Sequence, residues 1–328
     1  MLTDRRENLK PAEYPDFLEY RDAIRHSYWV HTEYNLTDDV QDFLTRVKPH
    51  EQNAIKNTML AIAQVEVAVK TFWGDIYKRF PKPEVGAVGY TFAESEVRHQ
   101  DAYSHLLEIL GLNKEFEKLT EIPALYDRVQ FLNKHIKYVP DPDPAVDNRN
   151  YAITVLLFSV FVEYVSLFSQ FLIMKAFNKH RGLFKGIANI VEATSKEEQI
   201  HGMFGFRIIE VLRHEFPDWF SGEFDQMVVD ACLKAYKAEE KMLDWIFEQG
   251  ELDFLPISHI KAFIQARFNE SLGEVGIAPL WEVDPEGAEA TLWFDEEVLA
   301  TKHYDFFHKR PTMYSRKTKA ITEDDLFG

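Results

Sequence analysis

The chain has 328 residues and a single cysteine, Cys232. No intramolecular disulfide can form, and a thiolate metal cluster is excluded. Glycine and proline are sparse, at 14 each. Few positions interrupt the backbone, so long helices are favoured over a turn-rich β fold. Strand signals are nearly absent, and no glycine-rich phosphate loop occurs. Basic charge is also short: 37 Lys and Arg stand against 54 Asp and Glu, a net charge of −17. A surface of that sign argues against nucleic acid or an anionic membrane as partner. The opening stretch, MLTDRRENLKPAEYPDF, has no apolar signal region. Residues 153–177 form one long apolar run, but Glu163 near its middle would make a membrane span costly. The expectation is a cytoplasmic chain with no membrane segment.

What the chain does have is core material. Hydrophobic residues make up 46%, with 26 Phe, 14 Tyr and 6 Trp, so aromatic rings should fill much of the interior. Apolar residues recur at helical spacing almost throughout. Helices are expected over about 37–47 (opened by the N-cap cluster Thr37-Asp38-Asp39), 50–79, 86–110, 121–137, 147–178, 182–214, 222–249 and 256–273. The stretch 275–298, with Gly276, Pro279, Pro285 and Gly287, reads as irregular. From about Lys302 the chain turns polar, then acidic, with an apolar end. The reading is all-α: one helical domain over 1–301 and a flexible tail over 302–328.

Two segments carry Glu-x-x-His: Glu96-Val97-Arg98-His99 and Glu198-Gln199-Ile200-His201. Residues three apart on a helix share a face, so each pair can grip one metal ion. One copy arises easily by chance, and a surface Glu or a hydrogen-bonded core His is the ordinary explanation for each part. The setting changes the balance. Two further predicted helices each hold a lone Glu inside an apolar stretch: Glu66 in MLAIAQVEVAV and Glu163 in LLFSVFVEYVSLF. Buried carboxylates need partners. Two helices giving one Glu each and two giving Glu-x-x-His is the pattern of ferritin-like dimetal bundles. An oxygen-rich set with one imidazole per ion suits iron or manganese better than structural zinc. Tyr103 lies one turn beyond His99 on the same face, a candidate one-electron donor beside such a site. Lys70, one turn beyond Glu66, should also point toward it, unless it snorkels to solvent.

The segment around Glu66, ESEVRHQDAY, the Glu163 helix and KEEQIH together resemble the small subunits of class I ribonucleotide reductases, and the likeness runs from SYWV near residue 28 to the C-terminus. The resemblance implies a ferritin-like bundle with extra helices, holding two metal ions per chain. Glu66, Glu96 and His99 match the ligands of one ion, and Glu163, Glu198 and His201 those of the other. Tyr103 matches the tyrosyl-radical position. Trp29 matches the tryptophan linking the site to the surface, and Tyr314 the tail tyrosine that passes the radical on. The final EDDLFG is similar to the peptide that docks on the large subunit, which supplies the nucleotide chemistry. A homodimer is implied on the same ground.

Three positions depart from the common pattern. Glu66 stands where many relatives have Asp. Glu197 stands where an Asp of the transfer chain is usual. Lys70 is not a general feature. Glu66 with Lys70 resembles the dimanganese subclass Id, in which the metal pair itself stores the oxidising equivalent, so manganese is favoured and iron is second. Other readings on the same scaffold are a ligand-binding oxidase or desaturase, which need an apolar tunnel. Ferroxidase or iron storage would predict a shorter chain.

Overall fold

In the computed structural model the described residues are 1–299 without 118–120, 137, 139 and 221; the side chains of 66–68, 116, 132–136 and 299 also lie outside the description. Twelve α-helices are seen among the described residues. They are α1 (Phe17–His26), α2 (Thr37–Thr45), α3 (Pro49–Asp75), α4 (Pro83–Ile109), α5 (Asn113–Phe116), α6 (Pro123–Ile136), α7 (Pro144–Phe158), α8 (Phe168–Arg181), α9 (Lys185–Glu215), α10 (Gly222–Ile246), α11 (Ile257–Glu274) and α12 (Pro285–Phe294). The nearest thing to a strand among these residues is the isolated bridge Leu252–Leu255. The expected all-α class is what forms.

Start signals lie where the chain chemistry puts them. Pro49, Pro83, Pro123, Pro144 and Pro285 each occupy the first helical position, where a missing N–H costs nothing. Gly182, with φ of 63°, ends α8 in the left-handed conformation that glycine adopts without strain. The helix α3 packs along α4, and α9 packs on α8 and on the segment between α7 and α8. Of these, α3, α4, α9 and the segment between α7 and α8 carry the candidate site residues.

Three expectations need correction. The helix predicted over 147–178 is not continuous: Ser159–Ser166, which carries Glu163, winds as a π-helix. The facing helix explains how it fits. A Cβ on Gly205 of α9 would stand 1.7 Å from Ser159 Oγ, so glycine there lets the first residue of that segment pack against α9. The region 275–298 is not irregular throughout, because Asp284 caps Gly287 N–H at 3.1 Å and α12 follows. Asp39 does not cap its own helix. It accepts from Gly186 N at 3.1 Å and Ile187 N at 2.7 Å, and Asp42 accepts from Phe184 N at 2.9 Å. The N-terminus of α9 is buried and cannot turn to water, whereas the exposed start of α2 takes Asn35 Oδ1 at 3.0 Å.

The apolar run from Pro144 to Arg181 is long enough to cross a membrane by length and composition, but its most apolar window is 89% buried inside the fold. It is a core element of the bundle. Residues 300–328, including Tyr314 and EDDLFG, lie outside the described residues.

Candidate metal centre

Helix periodicity delivers the candidate ligands. Glu96 and His99 of α4, Glu198 and His201 of α9, and Glu163 of the π-segment are all buried, each 1% exposed or less. Ligand atoms of Glu96, Glu163, Glu198 and His201 lie within 4.8 Å of one another. Both imidazoles turn Nδ1 inward. His201 Nδ1 stands 3.1 Å from Glu96 Oε1, 3.3 Å from Glu198 Oε2 and 3.6 Å from Glu163 Oε2. His99 Nδ1 stands 2.9 Å from Glu198 Oε1 and 3.3 Å from Glu96 Oε2. Glu96 and Glu198 therefore each offer one oxygen to either histidine. Glu66 lies on α3, but its side chain is outside the described residues.

The outward ring nitrogens are held. His201 Nε2 meets Ser95 Oγ at 3.0 Å, and His99 Nε2 meets Glu197 Oε2 at 2.7 Å. Such partners fix which nitrogen faces a metal ion. Trp73 Nε1 donates to Glu163 Oε1 at 2.8 Å. Burial alone would push the pKa of His99 and His201 down. For His99 the Glu197 hydrogen bond, and for His201 the charge of Glu96, lead the opposing effects, and both imidazoles end well above the ordinary value. Burial, reinforced by the charges of Glu198 and Glu96, raises the Glu163 carboxyl well above the usual range. Burial also acts to raise Glu198, but hydrogen bonds from Glu163, His201 and His99 outweigh it and hold it well below. Without an ion, the cluster keeps protons to contain its own negative charge.

Glu96 Oε1 and Oε2, Glu163 Oε2 and Glu198 Oε1 are buried and make no well-oriented hydrogen bond among the described residues. Carboxylate oxygens so placed are costly unless a cation meets them. Hard oxygen donors with one inward imidazole nitrogen on each side fit divalent iron or manganese.

Tyr103 is fully buried on α4 one turn beyond His99. Lys70 does not run out to solvent. It is half-buried and donates to the side chain of Gln100, the neighbour of His99. Trp29 lies nearly parallel to the His99 ring, with centroids 5.9 Å apart and planes at 17°. Its indole N–H meets no acceptor among the described residues. Glu197 turns instead to His99 and to Arg98. Sequence reasoning missed Ser95, Trp73 and Arg98. Trp73 had a local signal, seven residues beyond Glu66 and so on the same helix face. Arg98 had none for its contact with Glu197, which lies on another helix.

The family model for the ribonucleotide reductase small chain matches residues 6–302. A small-subunit homologue of ribonucleoside-diphosphate reductase from Invertebrate iridescent virus 3 is 27% identical over 325 residues, covering 95% of this chain and 85% of its own. The ribonucleotide reductase R2 subunit from Clostridium botulinum superposes with a TM-score of 0.78 at 18% identity, covering 87% of this chain and 88% of that one. The dimanganese(II) NrdF of Streptococcus sanguinis does so with 0.73 at 15% identity, covering 88% and 99%. At those identities the two structures speak for the fold. With a family match over most of the described chain and a buried Glu/His cluster in the bundle core, the chain belongs to the class I ribonucleotide reductase small-subunit family.

Proposed function

We propose that this chain is the radical-generating subunit of a ribonucleoside-diphosphate reductase and acts only with a large subunit. The observation that carries the reading is the inward-facing Glu96, Glu163, Glu198 and His201 group, with buried oxygens that make no well-oriented hydrogen bond among the described residues. In this reading Glu66, Glu96 and His99 hold one ion and Glu163, Glu198 and His201 the other. Four carboxylates balance two divalent charges. The ions supply a one-electron oxidising equivalent once activated. The protein keeps that equivalent dry, because every described donor residue is buried. Trp29, stacked on His99, leads outward, and Tyr314 on the tail 302–328 carries the equivalent across to the large subunit. The domain over 1–301, the homodimer, docking through EDDLFG and a cytoplasmic location belong to the same reading. The reducing thiols must come from the partner, since the one cysteine, Cys232, is buried.

Manganese is the favoured metal and iron the second. Support comes from Glu66 together with Lys70, a cation beside Gln100 at the edge of the site. A fixed positive charge there disfavours further positive charge and attracts an anionic oxidant such as superoxide. In this reading Tyr103 is a spectator.

The test is reconstitution. The purified chain loaded with Mn(II) or Fe(II), each with oxygen or superoxide, is assayed with and without the large subunit. Turnover that needs the partner, manganese and superoxide is expected. Turnover by the chain alone would overturn the subunit assignment. An organic radical in active protein, lost with all activity in Tyr103→Phe, would overturn the manganese reading and leave the subunit assignment standing.

A further inference from the structure

Arg98 sits inside the Glu96–His99 motif, and its side chain reaches Glu197 on α9. It is 5% exposed and makes contacts in four directions. Nη2 donates to Glu197 Oε1 at 3.1 Å and Nη1 to Glu197 Oε2 at 3.3 Å. Nη1 also donates to the Trp29 carbonyl at 3.1 Å, and Nε to Glu94 Oε2 at 3.0 Å. The guanidinium lies 4.5 Å from the Tyr28 ring centre. Glu197 is 1% exposed, and its Oε2 is the atom that accepts from His99 Nε2.

We infer that Arg98 is a positioning residue. Its forked guanidinium holds Glu197 against His99 and ties the Trp29 backbone to the same carboxylate. The inference rests on the metal-site reading above. Charge supports it: if four carboxylates match two divalent ions, Glu197 is one negative charge too many, and Arg98 is the buried cation that matches it. Geometry supports it too. A bidentate guanidinium fixes the plane of a carboxylate, which a lysine ammonium cannot do. A carboxylate held in that plane keeps the His99 proton on Nε2, leaving Nδ1 as the ligand atom. The same side chain thus sets the His99 ring and one end of the Trp29 stack.

The test uses Mn(II) binding to the metal-free full-length chain, followed by paramagnetic resonance of free Mn(II). Wild type should bind two ions; failure of that control would sink the underlying metal-site reading, not the role of Arg98. In Arg98→Met the ion held by His99 should weaken by roughly 10–100-fold, while the other is little changed. Arg98→Lys should recover part of the loss. The double variant Arg98→Met/Glu197→Gln should bind no more weakly than Glu197→Gln alone, because the clamp has nothing left to hold. Unchanged binding in Arg98→Met, equal weakening of both ions, or additive losses in the double variant would each overturn the proposal. Should Arg98→Met not fold, Glu197→Gln, which keeps the shape, must weaken the same single ion, and unchanged binding there would overturn it as well. With Mn(II) at saturation and the large subunit present, Arg98→Met should still turn over at least about tenfold slower, since Trp29 has lost its anchor. Full turnover under those conditions would overturn the part concerning Trp29.

Discussion

Two buried polar clusters share the π-helical segment, and their charge balance differs. At Glu163 the segment joins a group where, among the described residues, carboxylates outnumber imidazoles and several oxygens make no well-oriented hydrogen bond. At Ser166 it joins Arg128, Glu239, Ser169 and Gln170, where each group meets another. Arg128 Nη2 donates to Ser166 Oγ at 2.7 Å and to Gln170 Oε1 at 3.2 Å, and Arg128 Nε lies 3.7 Å from Glu239 Oε1. Ser166 Oγ donates to Glu239 Oε1 at 3.0 Å. Burial lowers Arg128 and raises Glu239, and the pairing opposes both shifts. The balanced cluster is a structural fixture that needs nothing from outside. The unbalanced one is stable only when protons or metal ions make up the deficit. Among buried ionisable groups, an excess of acceptors distinguishes a binding site from a structural node.

The comparison can be broken most sharply by removing ligands. Glu163→Ala or His201→Ala should cost one metal position outright and reduce partner-dependent turnover to background, as read by metal analysis and assay. Full occupancy of both positions in either variant would contradict the assignment. Tyr314→Phe should abolish turnover equally but leave metal content and oxidation unchanged, because the ring stays and the phenolic proton does not. Normal turnover would move the relay elsewhere.

Glu239→Ala should do the reverse. It leaves a buried guanidinium without its carboxylate, which typically costs about 3–5 kcal/mol, while metal stoichiometry stays that of wild type. Chemical denaturation and metal analysis of the same sample separate the two effects. Loss of an ion in this variant would merge the two clusters into one functional unit.

A smaller effect appears in the pH dependence of the metal-free chain. Glu163, His99 and His201 hold their protons more tightly folded than unfolded. The stability they contribute is complete below their unfolded values, 4.5 for the carboxyl and 6.5 for the imidazoles, and is lost as pH rises through the raised folded ones. Glu198 is shifted the other way, and its contribution is lost as pH falls through its lowered value. The metal-free chain should therefore weaken toward alkaline pH, and Glu163→Gln should flatten part of that slope. A metal-free wild type whose melting temperature is level across that range would contradict the proton-holding account. The smallest expected change is in Asp39→Ala, which removes the α9 cap and should cost about 1–2 kcal/mol with no change in metal content. A shift in denaturation midpoint well beyond that range would show that Asp39 does more than cap.

The local rules in the chain were enough for most of the helices and for pointing to the residues of the buried Glu/His cluster. Glu96 with His99, and Glu198 with His201, are three apart, so any helix through them presents each pair together. Glu163 stood out because a charge in an apolar run needs a partner. A single sparse cysteine and few glycines removed the competing fold classes before any site was considered. Tertiary structure decided what depends on neighbours distant in sequence. Ser159, where the π-wound segment begins, fits against α9 because Gly205 there has no side chain. Asp39 serves α9 because that helix end is buried against α2 and has no water to turn to. The contacts of Glu197 with His99 and Arg98, and of Arg98 with the Trp29 carbonyl, exist only when α4, α9 and the segment before α2 pack. Spacing along a helix is written in the chain; the partner across an interface, and so the balance of charge in a buried cluster, exists only once the helices have met.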